Sequence, residues 1–530
     1  MALIATNSRP IAPVIRPLAI VLAALGAVML IAMIFYPFGY DQAVFALGGE
    51  MVRKGAVPVR DFLDTKPPLI FYIYSVASGL FGDHEWSIRL VDILFWIGAS
   101  FYFYKILRRY LASEISIIAV SLTVILYAGS GFWMTAEAES FALLPSLILL
   151  DVTLRAVERP TRAFLYSLIM GVAAFALLML KFTLVLGPLA AILFIFLDRR
   201  ISARTKWSVA LGLIASLAAL GLIFLWSLRI SNSSSSFLEW LHWLSYYSSV
   251  GRTERSLLEE IFLRFPGRLI YSASPTLLLF GALGVALFIR HKKNQPLFTL
   301  LLLTFCFQLL GVLIERKIEF PYQYTRALWA LTPFAAIAIQ SLLERLNANW
   351  NSTTVLARAA IVLCLIALVI GSPLSRIATQ SIPWTVAAIR GNQPAEVQHR
   401  IPDYFAKEQH DVASYLTARM QPRDQLFFWG NDVAIYFFAG RLPQTICLTA
   451  TPLRTAGTPI SWKSKLLSQL NSTPPKYFVA EFGDAKPYIT GSDLDSYSAL
   501  LAWPEMREYL VTHYTADTTI GHFFIFRKTS

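Results

Sequence analysis

The stretch Tyr166–Leu197, YSLIMGVAAFALLMLKFTLVLGPLAAILFIFL, is 32 residues of apolar sequence with one cation, Lys181, near its middle and Gly187-Pro188 beyond it. As a single helix it would run about 48 Å at 1.5 Å per residue, too long for a hydrocarbon core of about 30 Å. As two short spans turning near Lys181 it fits, and it returns the following Arg199-Arg200 to the side from which the chain entered. A single span would instead place every later basic cluster on the opposite side. The two-span reading is therefore adopted, and it sets the parity of everything downstream.

Outward from that stretch, Pro17–Pro37, Trp207–Leu228, Tyr271–Ile289, Pro296–Ile314 and Ala359–Ser372 are further apolar runs in a chain that is 56% hydrophobic and 15% charged. Such runs cannot be lipid-exposed strands, because each unpaired backbone group in hydrocarbon costs several kcal/mol. The first run follows Arg9 and Arg16 and ends in Tyr36-Pro37-Phe38-Gly39-Tyr40, which offers no small-residue cleavage site, so it reads as a retained helix. The net charge of +13 is carried at segment ends, in Arg108-Arg109, Arg155, Arg159, Arg162, Arg199, Arg200, Arg204, Lys206, Arg290, Lys292, Lys293, Arg345 and Arg358. That placement orients a membrane protein with its N-terminus inside and argues against a nucleic-acid partner. The fold expected is a polytopic α-helical membrane protein of about eleven transmembrane helices with an outside C-terminus.

The first outside loop, residues 38–87, holds two further elements. Gln42–Lys54 places Val44, Phe45, Leu47, Met51 and Val52 on one side, the pattern of a helix lying in the interface. Pro67–Gly82 is apolar but spans only about 24 Å as a helix, short of a crossing, and precedes a true span from Ile88 to Leu107. A second outside loop, Arg229–Leu269, contains Trp240, Trp243, Tyr246 and Tyr247, an aromatic-belt composition. After Ser372 charged residues, prolines and short apolar stretches alternate, dividing the chain into a membrane part (1–372) and a C-terminal soluble α/β domain (373–530). Within it, Tyr404–Met420 and Val433–Phe438 read as helices, and Gln425–Trp429, Lys476–Glu481 and Phe523–Arg527 as strands.

Acids and bases gather at the outer ends of the spans: Asp41, Asp61, Asp64, Lys66, Arg89, Glu137, Glu139, Lys181, Glu315, Arg316 and Arg326. This distribution suits chemistry at a membrane surface on a substrate whose tail stays in lipid. Two readings of Asp41 are open and compatible, an N-cap for the amphipathic helix or a general base for an acceptor hydroxyl. Lys66 precedes Pro67-Pro68, and a cation at a helix N-terminus opposes the dipole unless an anion such as a phosphate is near; a lipid headgroup would also serve. Lys181 interrupts an apolar run, where a cation is costly and points to function, or else marks a turn. Glu137 and Glu139, two residues apart, either cap the next helix or assist Asp41. No glycine-rich nucleotide loop, metal-binding His or Cys spacing, or Ser-His-Asp order occurs.

Asp41, the stretch Gly55-Ala-Val-Pro58-Val-Arg-Asp61-Phe-Leu-Asp64-Thr-Lys66-Pro67-Pro68-Leu69, and Arg89 at the opening of the next span resemble the GT-C membrane glycosyltransferases. Among them the branch of protein O-mannosyltransferases and lipid A aminoarabinose transferases is the most similar. The resemblance implies a donor sugar on a polyprenyl monophosphate, used outside the cytoplasm with inversion. It implies a catalytic role for Asp41 and donor-phosphate ligands in Lys66 and Lys181; Glu137 and Glu139 are added as candidate catalytic partners and Arg89 and Arg326 as candidate phosphate ligands from their places at the outer ends of the spans. Asp61, Asp64 and Tyr324 are candidate substrate contacts. No cofactor or divalent metal is expected; the expected partners are the lipid-linked donor, a glycolipid or glycan acceptor such as lipopolysaccharide, and membrane lipids. The paired acidic motif of the protein mannosyltransferases is Asp41-Gln42 here, which favours a glycolipid acceptor over protein. The expected location is the inner membrane with a periplasmic C-terminal domain. Rival readings are a protein O-glycosyltransferase, a polyprenyl-phosphate carrier and a non-catalytic envelope scaffold.

Overall fold

The computed structural model describes residues 15–250, 256–290, 295–315, 318, 320–348, 382–390, 406–455 and 457–529. The chain divides into two compact units. One comprises Met1–Tyr36, Arg89–Leu220 and Leu258–Pro383, the other Pro37–Ile88, Gly221–Leu257 and Trp384–Ser530. The apolar run Ala359–Ser372, Arg358 and the 372/373 division lie outside the described residues.

The protein is a multi-pass membrane protein. Among the described residues six helices are long and apolar enough to cross a bilayer: Ile15–Phe35, Glu85–Leu107, Ala138–Glu158, Pro160–Leu180, Ala203–Ile230 and Pro296–Glu315. Two further apolar pairs are bent, Glu260–Ala273 with Pro275–Arg290 by 98° and Tyr322–Leu328 with Thr332–Arg345 by 60°. Ser113–Ala128, Phe182–Leu197 and Leu69–Phe81 are shorter. The long run read as two spans does break at Lys181: one helix covers Ala163–Leu180, Lys181 is extended, and a short 3-10 turn leads into Leu186–Leu197.

In the first unit, Ile15–Ala32 packs on Ser113–Ala128, which packs on Thr332–Ala348, and Leu186–Leu197 packs on Pro296–Glu315. Lipid tails are as apolar as leucine, so helices here associate through close packing, which small residues permit. Ala163–Leu180 shows the device twice. A Cβ added at Gly171 would lie 2.8 Å from Ser216 Cβ, and one at Gly212 would lie 2.7 Å from the Phe164 carbonyl oxygen.

In the second unit, Tyr40–Arg53 packs on Leu69–Phe81 over a cluster of Phe45, Phe62, Phe71 and Tyr74. The two helices touch at Gly49, where a Cβ would come within 2.8 Å of the Ser75 backbone nitrogen. Gly49→Ala is therefore expected to separate the helices and destabilise the unit by about 1–3 kcal/mol, read as a lower melting temperature.

Among the described residues four strands complete this unit: β1 (Leu426–Trp429), β2 (Tyr477–Glu481), β3 (Tyr514–Ile520) and β4 (Phe523–Lys528), in the order β1-β2-β4-β3. β1 and β2 are parallel with Leu426 opposite Tyr477, and every residue of both is buried, matching their near-continuous apolar sequences. β4 runs antiparallel to both β2 and β3. The alternation of elements expected after Ser372 is present, with Ala406–Thr417 and Ala434–Phe438 helical. The strand β3 was not expected: its YTADTTI sequence is polar and mostly open to solvent, which hides an edge strand from a hydrophobic pattern.

One expectation is corrected. Trp240 and Trp243 do not form a lipid-facing belt; both are wholly buried. Trp240 Nε1 donates to the Asp64 carbonyl at 2.6 Å and Trp243 Nε1 to Thr455 Oγ1 at 2.9 Å. An indole carries a polar handle on an apolar body, so the same composition serves an interior as well as an interface.

Candidate functional site

The second unit holds the first-loop residues. The helix Tyr40–Arg53 begins after Gly39, and its capping oxygen comes from Gln42, whose Oε1 accepts from the Gly39 N–H at 2.9 Å. Asp41 is thus not the N-cap. It lies in the first turn with a side chain 40% exposed, and Lys66 Nζ stands 3.2 Å from its Oδ2. Lys66 is itself mostly buried, over the Phe45 ring. The ammonium is fixed by the turn before Pro67-Pro68, where the Lys66 N–H donates to Asp64 Oδ1 at 2.8 Å. Desolvation lifts the Asp64 carboxyl to about 6 against the opposing pull of Lys66. The arrangement is an accessible carboxylate beside a preset ammonium, which can take a proton and hold an anion.

Asp61 does something different. It pairs with Arg60 at 2.6 Å and accepts from the Val57 N–H at 2.8 Å, contacts that hold its carboxyl below the usual range despite partial burial. Between them Val59 adopts φ +72°, a strained conformation for a β-branched residue. Asp61 therefore braces the loop.

The same unit contains a buried acidic group that the sequence did not single out: Asp432, Glu481 and Asp484. Glu481 Oε2 accepts from the backbone of Asn431 and Asp432 at 2.6 and 3.0 Å, and Asp484 pairs with Arg454 at 3.1 Å. Burial first, and then the charge of Asp432 and Asp484, raises the Glu481 carboxyl. Burial likewise raises that of Asp432. Tyr40, the neighbour of Asp41, feels both charges and lies under Lys486 Nζ, 3.8 Å from its ring centre. A carboxyl raised on folding stabilises fully below its unfolded pKa. That contribution is lost as pH rises through the folded value, at about 1.4 kcal/mol for each pH unit separating the two values. The melting temperature of the wild-type chain should therefore fall as pH rises from mildly acidic values through about 6, where burial places the Asp432 carboxyl. Asp432→Asn should flatten the fall, as thermal unfolding in detergent would show.

The first unit holds the second cluster, at the Lys181 break. Lys181 Nζ is gripped by Glu139 Oε1 at 2.5 Å and Glu315 Oε2 at 2.7 Å, above the Tyr322 ring. Arg326 Nη1 reaches Glu315 Oε1 at 2.7 Å and Thr183 Oγ1 at 2.9 Å, and Thr183 in turn donates to Glu315. Two cations from different helices thus converge, with two carboxylates among them. Thr183 was not singled out in the sequence, and Glu315 was grouped with the outer-end charges without a role of its own. Glu315 closes an apolar run and reads in sequence as an ordinary terminal charge.

Three expected site residues in this unit have other work. Arg89 is wholly buried, and its guanidinium donates to the carbonyls of Tyr36, Thr135 and Phe132 at 3.3, 3.2 and 3.1 Å and to Thr135 Oγ1 at 2.9 Å. Its donors hold the turn before Glu137, so it is a positioning residue and not a phosphate ligand here. Arg89→Met would strand those acceptors and is expected to cost roughly 3 kcal/mol, seen as reduced thermal stability. Tyr324 is buried and donates to the Ile318 carbonyl at 3.1 Å. Glu137 is buried at the start of Ala138–Phe141, its N–H donating to Ser140 Oγ at 3.0 Å, and Glu139 reaches Lys181. Among the described residues no group of three or more His, Cys, Asp or Glu is arranged to hold a metal ion.

Residues 65–226 match the family model of dolichyl-phosphate-mannose-protein mannosyltransferases, under half of the chain. YycA of Bacillus subtilis, a provisionally assigned mannosyltransferase, is 28% identical over 180 residues, 32% of this chain and 24% of its own length. The match thus spans about a quarter of that relative. Among solved structures, ArnT from Cupriavidus metallidurans bound to undecaprenyl phosphate aligns with a TM-score of 0.57 at 13% identity, over 96% of this chain and 97% of that one. The archaeal oligosaccharyltransferase AglB from Archaeoglobus fulgidus aligns with a TM-score of 0.52 at 12% identity, over 96% of this chain and 74% of that one. The chain is built on the GT-C fold of membrane glycosyltransferases, the fold that its first-loop motif and apolar runs led us to expect.

Proposed function

We propose that the chain transfers a single sugar from a polyprenyl-monophosphate-linked donor to a cell-envelope acceptor, lipopolysaccharide or another glycolipid being preferred over protein, with inversion at the anomeric carbon. The observation that carries this reading is the exposed Asp41 carboxylate set 3.2 Å from the Lys66 ammonium in the first loop. Asp41 takes the acceptor hydroxyl proton as its oxygen attacks the anomeric carbon. The bond from that carbon to the phosphate oxygen breaks, and the electron pair leaves on the lipid phosphate. Lys66 stabilises phosphate charge in its unit, and Lys181 and Arg326 of the other unit form a seat for an anion. ArnT and AglB, whose folds this chain shares, are seen with undecaprenyl phosphate and dolichol phosphate respectively, which supports a lipid phosphate as ligand. No metal is needed on this reading, because a phosphate held by cations is already a competent leaving group.

The catalytic part is residues 1–372, in the inner membrane with its N-terminus cytoplasmic, and residues 373–530 form a periplasmic domain. A second reading, transfer to protein hydroxyls, is favoured by the match of residues 65–226 to the protein mannosyltransferase model. Mass spectrometry of envelope lipids and glycoproteins with and without the gene separates them. One sugar missing from a glycolipid is the expected result; one missing from serine or threonine of an envelope protein would transfer the assignment to the second reading. No change in either class would sink both.

A further inference from the structure

The cations at the Lys181 break are already neutralised. Lys181 and Arg326 carry two positive charges, Glu139 and Glu315 two negative ones, and all four are joined by contacts of 2.5–2.7 Å. Adding a phosphate to such a group would leave an excess negative charge in a poorly hydrated place, where an uncompensated charge is costly. Yet the group is visibly unfinished. Arg326 is 3% exposed, only its Nη1 is engaged, and its Nε and Nη2 have no partner among the described residues. Nε and Nη2 form the side-on edge of a guanidinium, two parallel donors whose spacing matches two oxygens of a phosphate or carboxylate. Nothing on Glu315 fills that edge, since its contact is with the end-on nitrogen.

The structure assigns Glu315 as a carboxylate gate: we propose that it occupies the anion seat of Lys181 and Arg326, and that a lipid phosphate enters this seat with uptake of one proton by Glu315. This deepens the donor reading above and rests on it. Glu315 is the member that yields. It draws on both cations and on Thr183, and its side chain is 11% exposed, so an entering anion meets it directly. Glu139 is buried and holds Lys181 alone, and can remain its counterion. Once phosphate oxygens take the donors that Glu315 held, its charge has no partner and the neutral acid is the favoured form. The charged groups facing Glu315 among the described residues are Lys181 and Arg326, with Glu139 acting through Lys181; Arg316, Lys317 and Glu319 lie outside them.

The test uses the full chain in detergent and a polyprenyl methyl phosphate, a diester monoanion lacking the second ionisation that a phosphomonoester shows near about pH 6. The dissociation constant of the wild type should rise about tenfold per pH unit above neutrality, the slope for one linked proton. Glu315→Gln should bind with little dependence on pH and more tightly than the wild type at alkaline pH. Should that variant fail to fold, calorimetry on the wild type in two buffers of different ionisation enthalpy counts the protons directly, with one taken up per ligand expected. Diester binding without proton uptake would overturn the gate alone. Absence of diester binding at every pH would remove the seat together with the donor reading.

Discussion

Asp41→Asn is expected to lower the transfer rate by roughly 10²–10⁴-fold, the range for loss of a positioned general base. The chain should still insert and unfold at nearly the wild-type temperature. The expectation of near-normal stability follows from three observations. Asp41 does not cap its helix, because Gln42 does. Its side chain is 40% exposed, and its ion pair with Lys66 is long at 3.2 Å. Lys66 is mostly buried, but Asp64, on which its charge also acts, stays beside it when Asp41 is neutralised, so the loss is expected to cost only about 1 kcal/mol. Substrate binding should be nearly preserved, so kcat falls while KM holds. Transfer of labelled sugar from a polyprenyl-phosphate donor in reconstituted membranes measures this directly, and an Asp41→Asn chain of full activity would remove the carboxylate from the mechanism.

Asp41 also shows how far local sequence carries. The distance from the end of the first span and the acidic first turn were legible, and so was the choice between cap and base. Only the structure shows which oxygen caps the helix, because Gln42 and Asp41 are adjacent and both are chemically able. Lys181 was legible for a stronger reason. A lysine in the middle of a 32-residue apolar run contradicts its surroundings, and the structure places the helix break there. Glu315 contradicts nothing: an acid at the end of a span is ordinary, and its partners Lys181 and Thr183 are far away along the chain. The same holds for Asp432, Glu481 and Asp484, which are scattered through a soluble segment where carboxylates are common. Arg89 failed in the opposite direction. An arginine opening a span looks like an anion ligand, but in the fold its donors face the carbonyls of the Phe132–Thr135 turn. Sequence reports which charges exist and where they are anomalous; pairing at long separation has to come from the fold.

Lys181→Met should combine two large effects, and their separation is informative. The substitution keeps an unbranched stem one atom shorter and removes the charge, leaving Glu139 without its Lys181 partner and Glu315 with Arg326. Breaking a buried pair from one side typically costs about 3–5 kcal/mol, so a marked fall in melting temperature is expected. Removal of one of the two cations of the proposed anion seat should also weaken its hold on a lipid phosphate, lowering transfer from such a donor by roughly 10²–10³-fold. The double variant Lys181→Met, Glu139→Gln tells the two apart. Neutralising the carboxylate that lost its cation should recover much of the stability, because no unpaired charge then remains beside position 139. It cannot restore an ammonium, so the transfer rate should stay low. If stability and activity both recover in the double variant, Lys181 serves only to hold the turn between Leu180 and Phe182, and the anion seat has to be built from Arg326 without it.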